Sequence, residues 1–302
     1  VYPISCNFFH FTEQEIVMIV VTGATGQLGR LVIAALLKTV AAANIVAAVR
    51  SPEKASDLAA LGVQVRRADY SDAASLDAAL QGAEKVLLIS SNEIGERLNQ
   101  HRAVIDAAKR ANVKLLAYTS VLRADTSALG LAAEHKQTEQ AIKDSGVPAT
   151  ILRNGWYHEN YTAGLQKAVA NGAIVGSAGD GRISSAARSD YAEAAAVVLT
   201  GSGHAGKIYE LAGDGAYTLS ELAVETARQS GKPVAYRNIP EADYKAALIG
   251  FGLPEVIAVL LSDSDAAAAK GALFDDGKQL SALIGHPTVP LSASVAAALG
   301  KG

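Results

Sequence analysis

Short apolar runs recur through the first half of the chain. They are separated by segments in which apolar residues return every three or four positions. The runs are Ile16-Val17-Met18-Ile19-Val20-Val21, Ile45-Val46-Ala47-Ala48-Val49, Lys85-Val86-Leu87-Leu88-Ile89, Lys114-Leu115-Leu116-Ala117-Tyr118-Thr119 and Ala149-Thr150-Ile151-Leu152-Arg153, with a more polar Gln64-Val65-Arg66-Arg67 between the second and third. Each has strand length. The segments between them, such as Arg30 to Lys38, Arg97 to Ala111 and Ala133 to Ser145, have the helical period. Strands alternating with helices predict an α/β fold: a doubly wound, Rossmann-type parallel sheet covered on both faces. Beyond Arg153 the alternation weakens. Gly172 to Gly181 reads as a glycine-rich loop, and Ser189-Asp190 as the cap of an Ala-rich helix over Tyr191 to Leu199. Lys207 to Leu211 is strand-like, Thr218-Leu219-Ser220-Glu221 is a capping box, and Val234 to Arg237 is a short strand. Residues 241–274 are mainly helical. The expected organisation is a dinucleotide-binding domain over 18–153. A smaller, mainly helical substrate lobe over 154–302 returns in part to the main sheet.

The turn after the first run carries the chemistry. Thr22-Gly23-Ala24-Thr25-Gly26-Gln27-Leu28-Gly29 joins a strand to a helix. In such a turn Gly23 permits the bend, Gly26 lets backbone approach a pyrophosphate, and Gly29 lets the helix pack closely on the strand. The helix N-terminus offers free N–H groups and a partial positive charge to the phosphates. The GxxGxxG spacing points to the short-chain dehydrogenase branch of these folds. An NAD site places a carboxylate about 20 residues further on, for the ribose 2′-hydroxyl. Here Arg50 ends the second strand, and no acidic residue occurs between Glu15 and Glu53. A guanidinium suits a 2′-phosphate, so NADPH is expected over NADH, with Lys54 as a weaker second cation.

Composition narrows the field further. The chain has 302 residues, half of them hydrophobic, with a net charge of −3 and no large basic block, so nucleic acid is not an expected partner. No apolar run reaches the roughly 18 residues that a membrane span needs. Cys6 is the only cysteine, which fits a reducing, cytoplasmic compartment. The only methionine, Met18, stands at the first strand, so residues 1–17 are expected to be a non-native extension.

Ligands of open parallel sheets bind at the carboxyl ends of the strands. That rule selects Asp69 with Tyr70 for the adenine. It places Ile89-Ser90-Ser91-Asn92 beside the cofactor ribose, Thr119-Ser120 near the reactive ring, and Asn154-Gly155-Trp156-Tyr157 where nicotinamide and substrate meet. His135 and Lys136 follow the fifth strand, either as cofactor-orienting or proton-donating groups or as a solvated helix pair. Asp275-Asp276 with His286 matches no metal-ligand spacing, and no metal is expected.

Read together, these motifs resemble the NmrA-like atypical short-chain dehydrogenases. Within them the chain resembles the type 2 NAD(P)H:quinone oxidoreductases and the triphenylmethane dye reductases. The resemblance is carried by the run from Met18 to Gly29, Leu88-Ile89-Ser90-Ser91, Ala117-Tyr118-Thr119-Ser120 and Leu152-Arg153-Asn154-Gly155-Trp156-Tyr157 with Glu159-Asn160-Tyr161. Tyr209 to Gly213, Gly271 to Asp276 and Ile284 to Thr288 extend it across 18–298. It implies NADPH bound at Gly23, at Thr25, Gly26, Gln27 and Leu28, at Arg50, and in the Ser90 and Asn154 regions. It also implies two-electron reduction of quinones. None of the ten tyrosines has a lysine four residues later, so the Tyr–Lys proton relay of alcohol dehydrogenases is absent. Quinones tolerate that loss, because the reduced anion is delocalised and water can protonate it. The expectation is hydride transfer from NADPH, with NADH as a weaker donor, to a small-molecule quinone stacked near Trp156 and Tyr157. Asn154 or Tyr157 would hydrogen-bond the quinone oxygen. Two alternatives stand beside it: a non-enzymatic NADP(H) sensor that regulates a partner protein, and a reductase of dyes or other flat electrophiles. The Ala-rich helices offer a face for a homodimer.

Overall fold

The computed structural model describes residues 17–301. Cys6 and all of the expected extension except Val17 therefore lie outside the described residues. The strands among them are β1 (Ile19–Thr22), β2 (Ile45–Val49), β3 (Gln64–Arg67), β4 (Lys85–Leu88), β5 (Leu115–Val121), β6 (Ala149–Asn154), β7 (Ala173–Gly176), β8 (Ile208–Leu211) and β9 (Ala235–Asn238). The helices are α1 (Gln27–Leu36), α2 (Ser56–Ala60), α3 (Ala73–Ala79), α4 (Arg97–Arg110), α5 (Ala132–Ser145), α6 (Glu159–Thr162), α7 (Leu165–Asn171), α8 (Arg188–Thr200), α9 (Leu219–Ser230), α10 (Glu241–Gly250), α11 (Glu255–Ala268), α12 (Gln279–Ile284) and α13 (Leu291–Ala298).

Seven strands form one sheet in the order β3-β2-β1-β4-β5-β6-β8, with every pair parallel. Successive residues of a strand point to opposite faces, and here both faces are apolar. Ile19, Val21, Ala47, Val49, Leu87, Ala117 and Leu152 pack with α1, α8 and α12. Val20, Val46, Ala48, Val86, Leu88, Leu116, Tyr118 and Ile151 pack with α3, α4 and α5. The chain winds outward from β1 to β3, then returns to β4 and winds the other way. The crevice at the carboxyl ends of β1 and β4 is therefore the topological switch point, where such sheets bind ligands.

Residues 154–301 serve two layers. β8 joins the main sheet beside β6, and α8 packs with α1 on one sheet face. The remainder builds a second core, in which Trp156, Leu165, Ile183, Tyr217, Leu222 and Leu273 meet Val121 and Leu129.

Two local expectations need correction. Within the stretch read as a glycine-rich loop, Ala173–Gly176 is β7, paired in parallel with β9. Two β-branched residues, Ile174 and Val175, favour the extended chain. Gly176 is small for a packing reason: a Cβ there would stand 2.6 Å from Asp265 Oδ2. The second correction concerns α8, which starts at Arg188 with Ala187 as its extended N-cap. Asp190 does not cap it but turns away to accept from the Val289 N–H at 3.0 Å. The capping box at Thr218 and Glu221 forms reciprocally.

Candidate active site

The glycine turn forms the floor of a cavity of about 630 Å³ at the switch point. Gly23 takes φ +60°, a left-handed conformation that its lack of a Cβ allows. Gly29 brings α1 against the turn so closely that a Cβ would lie 2.5 Å from Gly23 O and 2.7 Å from Ala24 Cα. No side chain caps α1, and no acidic residue occupies its first turn. The N–H groups of Gln27, Leu28 and Gly29 thus face the cavity end of the helix without an intrahelical acceptor. A glycine cradle under three free donors and a positive dipole end fits a pyrophosphate.

Val49, Arg50, Ser51 and Lys54 line one end, with Asp69 and Tyr70 beside them. Arg50 is 71% exposed and pairs with Glu93 Oε1 at 3.0 Å. Glu93 Oε2 accepts from Gln100 Nε2 at 2.6 Å, so the carboxylate is held in place. No carboxylate of β2 occupies the position that would take a ribose 2′-hydroxyl, and the cations suit a 2′-phosphate instead. Below them the Tyr70 hydroxyl lies 3.1 Å from Ile89 O and donates to Thr22 Oγ1, bolting β1 to β4.

The middle wall is Ile89, Ser90, Ser91 and Thr119. Side chains behind it fix its backbone. Thr119 Oγ1 accepts from the Ser90 N–H at 2.9 Å, and His101 Nε2 accepts from the Ser91 N–H at 2.9 Å. That contact puts the His101 proton on Nδ1, where it is donated to Thr138 Oγ1. Burial, helped by Arg97, lowers the His101 pKa to about 3, so the ring stays a neutral brace.

Tyr157 and Arg188 line the far end. The Arg188 guanidinium lies over the Tyr157 ring, 4.5 Å from its centroid, and Tyr191 meets the same ring edge-on at 5.2 Å. Burial pushes the Tyr157 pKa up, against the pull of the neighbouring Asn154 side chain and the Arg188 charge.

The structure brings Gly23, Thr25, Gly26, Gln27, Leu28, Gly29, Arg50, Asp69, Ile89, Ser90, Ser91, Thr119 and Tyr157 to one cavity. It does not bring Asn154, Gly155 or Trp156 to its wall. Asn154 is buried, and its Oδ1 lacks a hydrogen-bond partner among the described residues. Gly155 lets β6 approach its neighbours, since a Cβ would lie 3.0 Å from both Leu211 O and the Tyr191 hydroxyl. Trp156 is 9% exposed and belongs to the second core, because alternation turns it away from Tyr157. Its ring does not reach the place expected of a stacking platform.

His135 is buried and bonds Tyr118 at 2.7 Å, and burial holds its pKa well below the usual histidine value. Lys136 is exposed and donates to Asp125 O. Neither lines the cavity. His286 pairs with Glu193 at 3.3 Å. No cluster of three metal-ligating side chains occurs among the described residues, and none of their helices is long and apolar enough to cross a membrane.

Arg188, Glu93 and Gln100 line the cavity and were not expected from the sequence. The sequence carried no signal for Arg188, because the helix was expected to begin at Tyr191 and its true start at Arg188 puts this cation in the first turn.

The NmrA-like family model matches residues 16–284, and the chain belongs to that family. It is 60% identical over 278 residues to quinone oxidoreductase 2 of Escherichia coli, covering 92% of this chain and 97% of that protein. The crystal structure of an NADPH-dependent quinone oxidoreductase from Escherichia coli in complex with NADPH superposes with a TM-score of 0.91 at 59% identity, over 93% of this chain and 100% of that one. Triphenylmethane reductase of Citrobacter sp. complexed with NADP(H) follows at 41% identity and a TM-score of 0.90, over 93% and 99%.

Proposed function

We propose that this NmrA-like chain is an NADPH-dependent quinone oxidoreductase that reduces a quinone by two electrons in one hydride transfer. One observation carries the reading: a single cavity joins a phosphate-binding glycine turn and a cationic rim at Arg50 to a reactive end made of Tyr157 and Arg188, with no Tyr–Lys relay. The 60% identity to a quinone oxidoreductase over nearly the whole chain supports it independently. When bound, NADPH supplies the hydride. The backbone donors of Gln27, Leu28 and Gly29 hold the pyrophosphate, and Arg50 and Lys54 hold the 2′-phosphate. Ser90, Ser91 and Thr119 fix the ribose and ring against the strand ends. Tyr157 closes the reactive end and keeps water from it. The chain's task is orientation, since bringing two flat rings together in reacting geometry removes much of the barrier. A single cysteine and the lack of an apolar spanning helix among the described residues support a cytoplasmic site of action.

Steady-state consumption of NADPH and NADH with a small benzoquinone tests this, with Arg50→Ala in parallel. Quinone-dependent turnover is expected, with an NADPH preference that falls about tenfold in the variant, the worth of one exposed charge-assisted contact. NADPH binding without turnover on any quinone would replace the enzyme with a sensor.

A further inference from the structure

Among the described residues Arg188 is the one cation at the reactive end of the cavity wall, and its guanidinium hydrogen-bond donors are uncommitted there. Its side chain is 13% exposed and lines the cavity beside Tyr157. The neighbouring acid, Glu159, is occupied elsewhere: both its carboxylate oxygens accept from the Arg188 backbone N–H, at 3.0 and 3.1 Å. That contact serves the start of α8, whose N-cap Ala187 has no side-chain oxygen. The two side chains form an ion pair at 4.0 Å, a separation too long for a hydrogen bond. Among the described residues the guanidinium donates no hydrogen bond to any side chain or carbonyl. Tyr157 holds it by its ring face at 4.5 Å. This contact fixes the position of the cation and consumes none of its donors.

The place is as informative as the charge. The sheet divides at β1 and β4, so the cofactor's adenine half lies over β1 to β3 and its reactive half over β4 to β6. Tyr157 follows β6, and Arg188 begins the helix that packs beneath it. The phosphate-binding cations Arg50 and Lys54 belong to the opposite end.

We infer that Arg188 is a catalytic group that stabilises the oxyanion formed as the quinone is reduced. This rests on the quinone reductase reading. The quinone accepts a hydride, two electrons and one hydrogen, from the dihydropyridine of NADPH, whose C–H bond breaks as it is oxidised to NADP⁺ while an O–H bond forms at one quinone oxygen. The other quinone oxygen then carries the negative charge until a proton from water completes the hydroquinone. A fixed guanidinium beside that oxygen stabilises the developing charge without reorganising, which is how enzymes obtain most of their electrostatic catalysis. It also explains how the chain works without a tyrosine–lysine acid: the anion is held first and protonated by water afterwards.

The test is a charge-selective binding measurement. The probes are 2-hydroxy-1,4-naphthoquinone, an anion at neutral pH, and its neutral 2-methoxy counterpart. Each is titrated into the NADP⁺-loaded full chain, wild type, Arg188→Met and Arg188→Lys. Wild type is expected to prefer the anion by about tenfold, the methionine variant to lose that preference, and the lysine variant to keep part of it. The affinity for the methoxy compound should stay within about twofold in all three. NADPH affinity should also be unchanged. Two results overturn the proposal: wild type binding both probes alike, which holds even if a variant fails to fold, or Arg188→Met weakening NADPH instead, which would assign the cation to a cofactor phosphate. Absence of quinone turnover in wild type is a separate outcome, and it would remove the reductase reading itself.

Discussion

Glu93 stands where a 2′-phosphate would have to compete with it. Its carboxylate pairs with Arg50 at 3.0 Å and is anchored by Gln100, so under the proposed function a 2′-phosphate at Arg50 would have to displace an existing ion pair. The pair is exposed and worth little by itself. Its removal nonetheless takes a like charge away from the phosphate. Glu93→Gln is expected to tighten NADPH about two- to fivefold and leave NADH unchanged, read as dissociation constants by titration. Trp156 gives the opposite kind of prediction. Its ring packs among Leu165, Tyr217 and Leu273 and away from the cavity. Trp156→Phe is expected to cost about 1–2 kcal/mol of stability in urea unfolding while the quinone kcat stays within about twofold. A large fall in kcat in a fully folded variant would return Trp156 to the site. The sequence showed a cluster of aromatic and polar residues at a strand end. It did not show which of two adjacent rings faced the ligand, because that depends on which side of the crevice each backbone position turns to.

At the scale of elements, the strands of the main sheet were legible because each is buried on both faces and reads as an apolar run. β3 was harder, since Arg66 and Arg67 lie at the sheet edge, where Arg67 is exposed and pairs with Asp72 at 2.7 Å. β7 was hidden by its glycines. Gly172 ends α7 in a left-handed turn and Gly176 makes room for a carboxylate, so both looked like loop signals. Asp265 is the reason. This buried acid accepts from the Tyr161 hydroxyl at 2.9 Å and the Ser177 N–H at 3.0 Å, tying α11 to the end of β7. Gly176→Ala is expected to cost about 1–3 kcal/mol by overpacking against that carboxylate, measured by urea unfolding. Unchanged stability would mean that the Asp265 contact gives way easily. The start of α8 was missed for a related reason. Its first N–H group is taken by Glu159, distant in sequence, and no local residue signals it.

Over the whole molecule, buried histidines contribute to the response to acid. His158 bonds Ser294 at 2.9 Å, and burial lowers its pKa to about 4. The unfolded chain takes up this proton near pH 6.5. Between those values the unfolded state binds a proton that the folded state refuses. Stability from this group is therefore complete above pH 6.5 and is lost as the pH falls towards 4. His101 and His135 act in the same direction. In His158→Gln, unfolding free energy should fall less steeply across that window, by up to about 1.4 kcal/mol per pH unit. An unchanged slope would show that the imidazole titrates freely in the fold. The same packing that keeps these rings neutral keeps them off the cavity wall, which Arg188 and Tyr157 do line. Reduction by direct hydride transfer is thus the central claim. Anaerobic product analysis with NADPH and a benzoquinone tests it most directly. One hydroquinone formed per NADPH consumed, with no semiquinone signal, is the predicted result. Semiquinone release, or NADPH bound and never consumed, would contradict it.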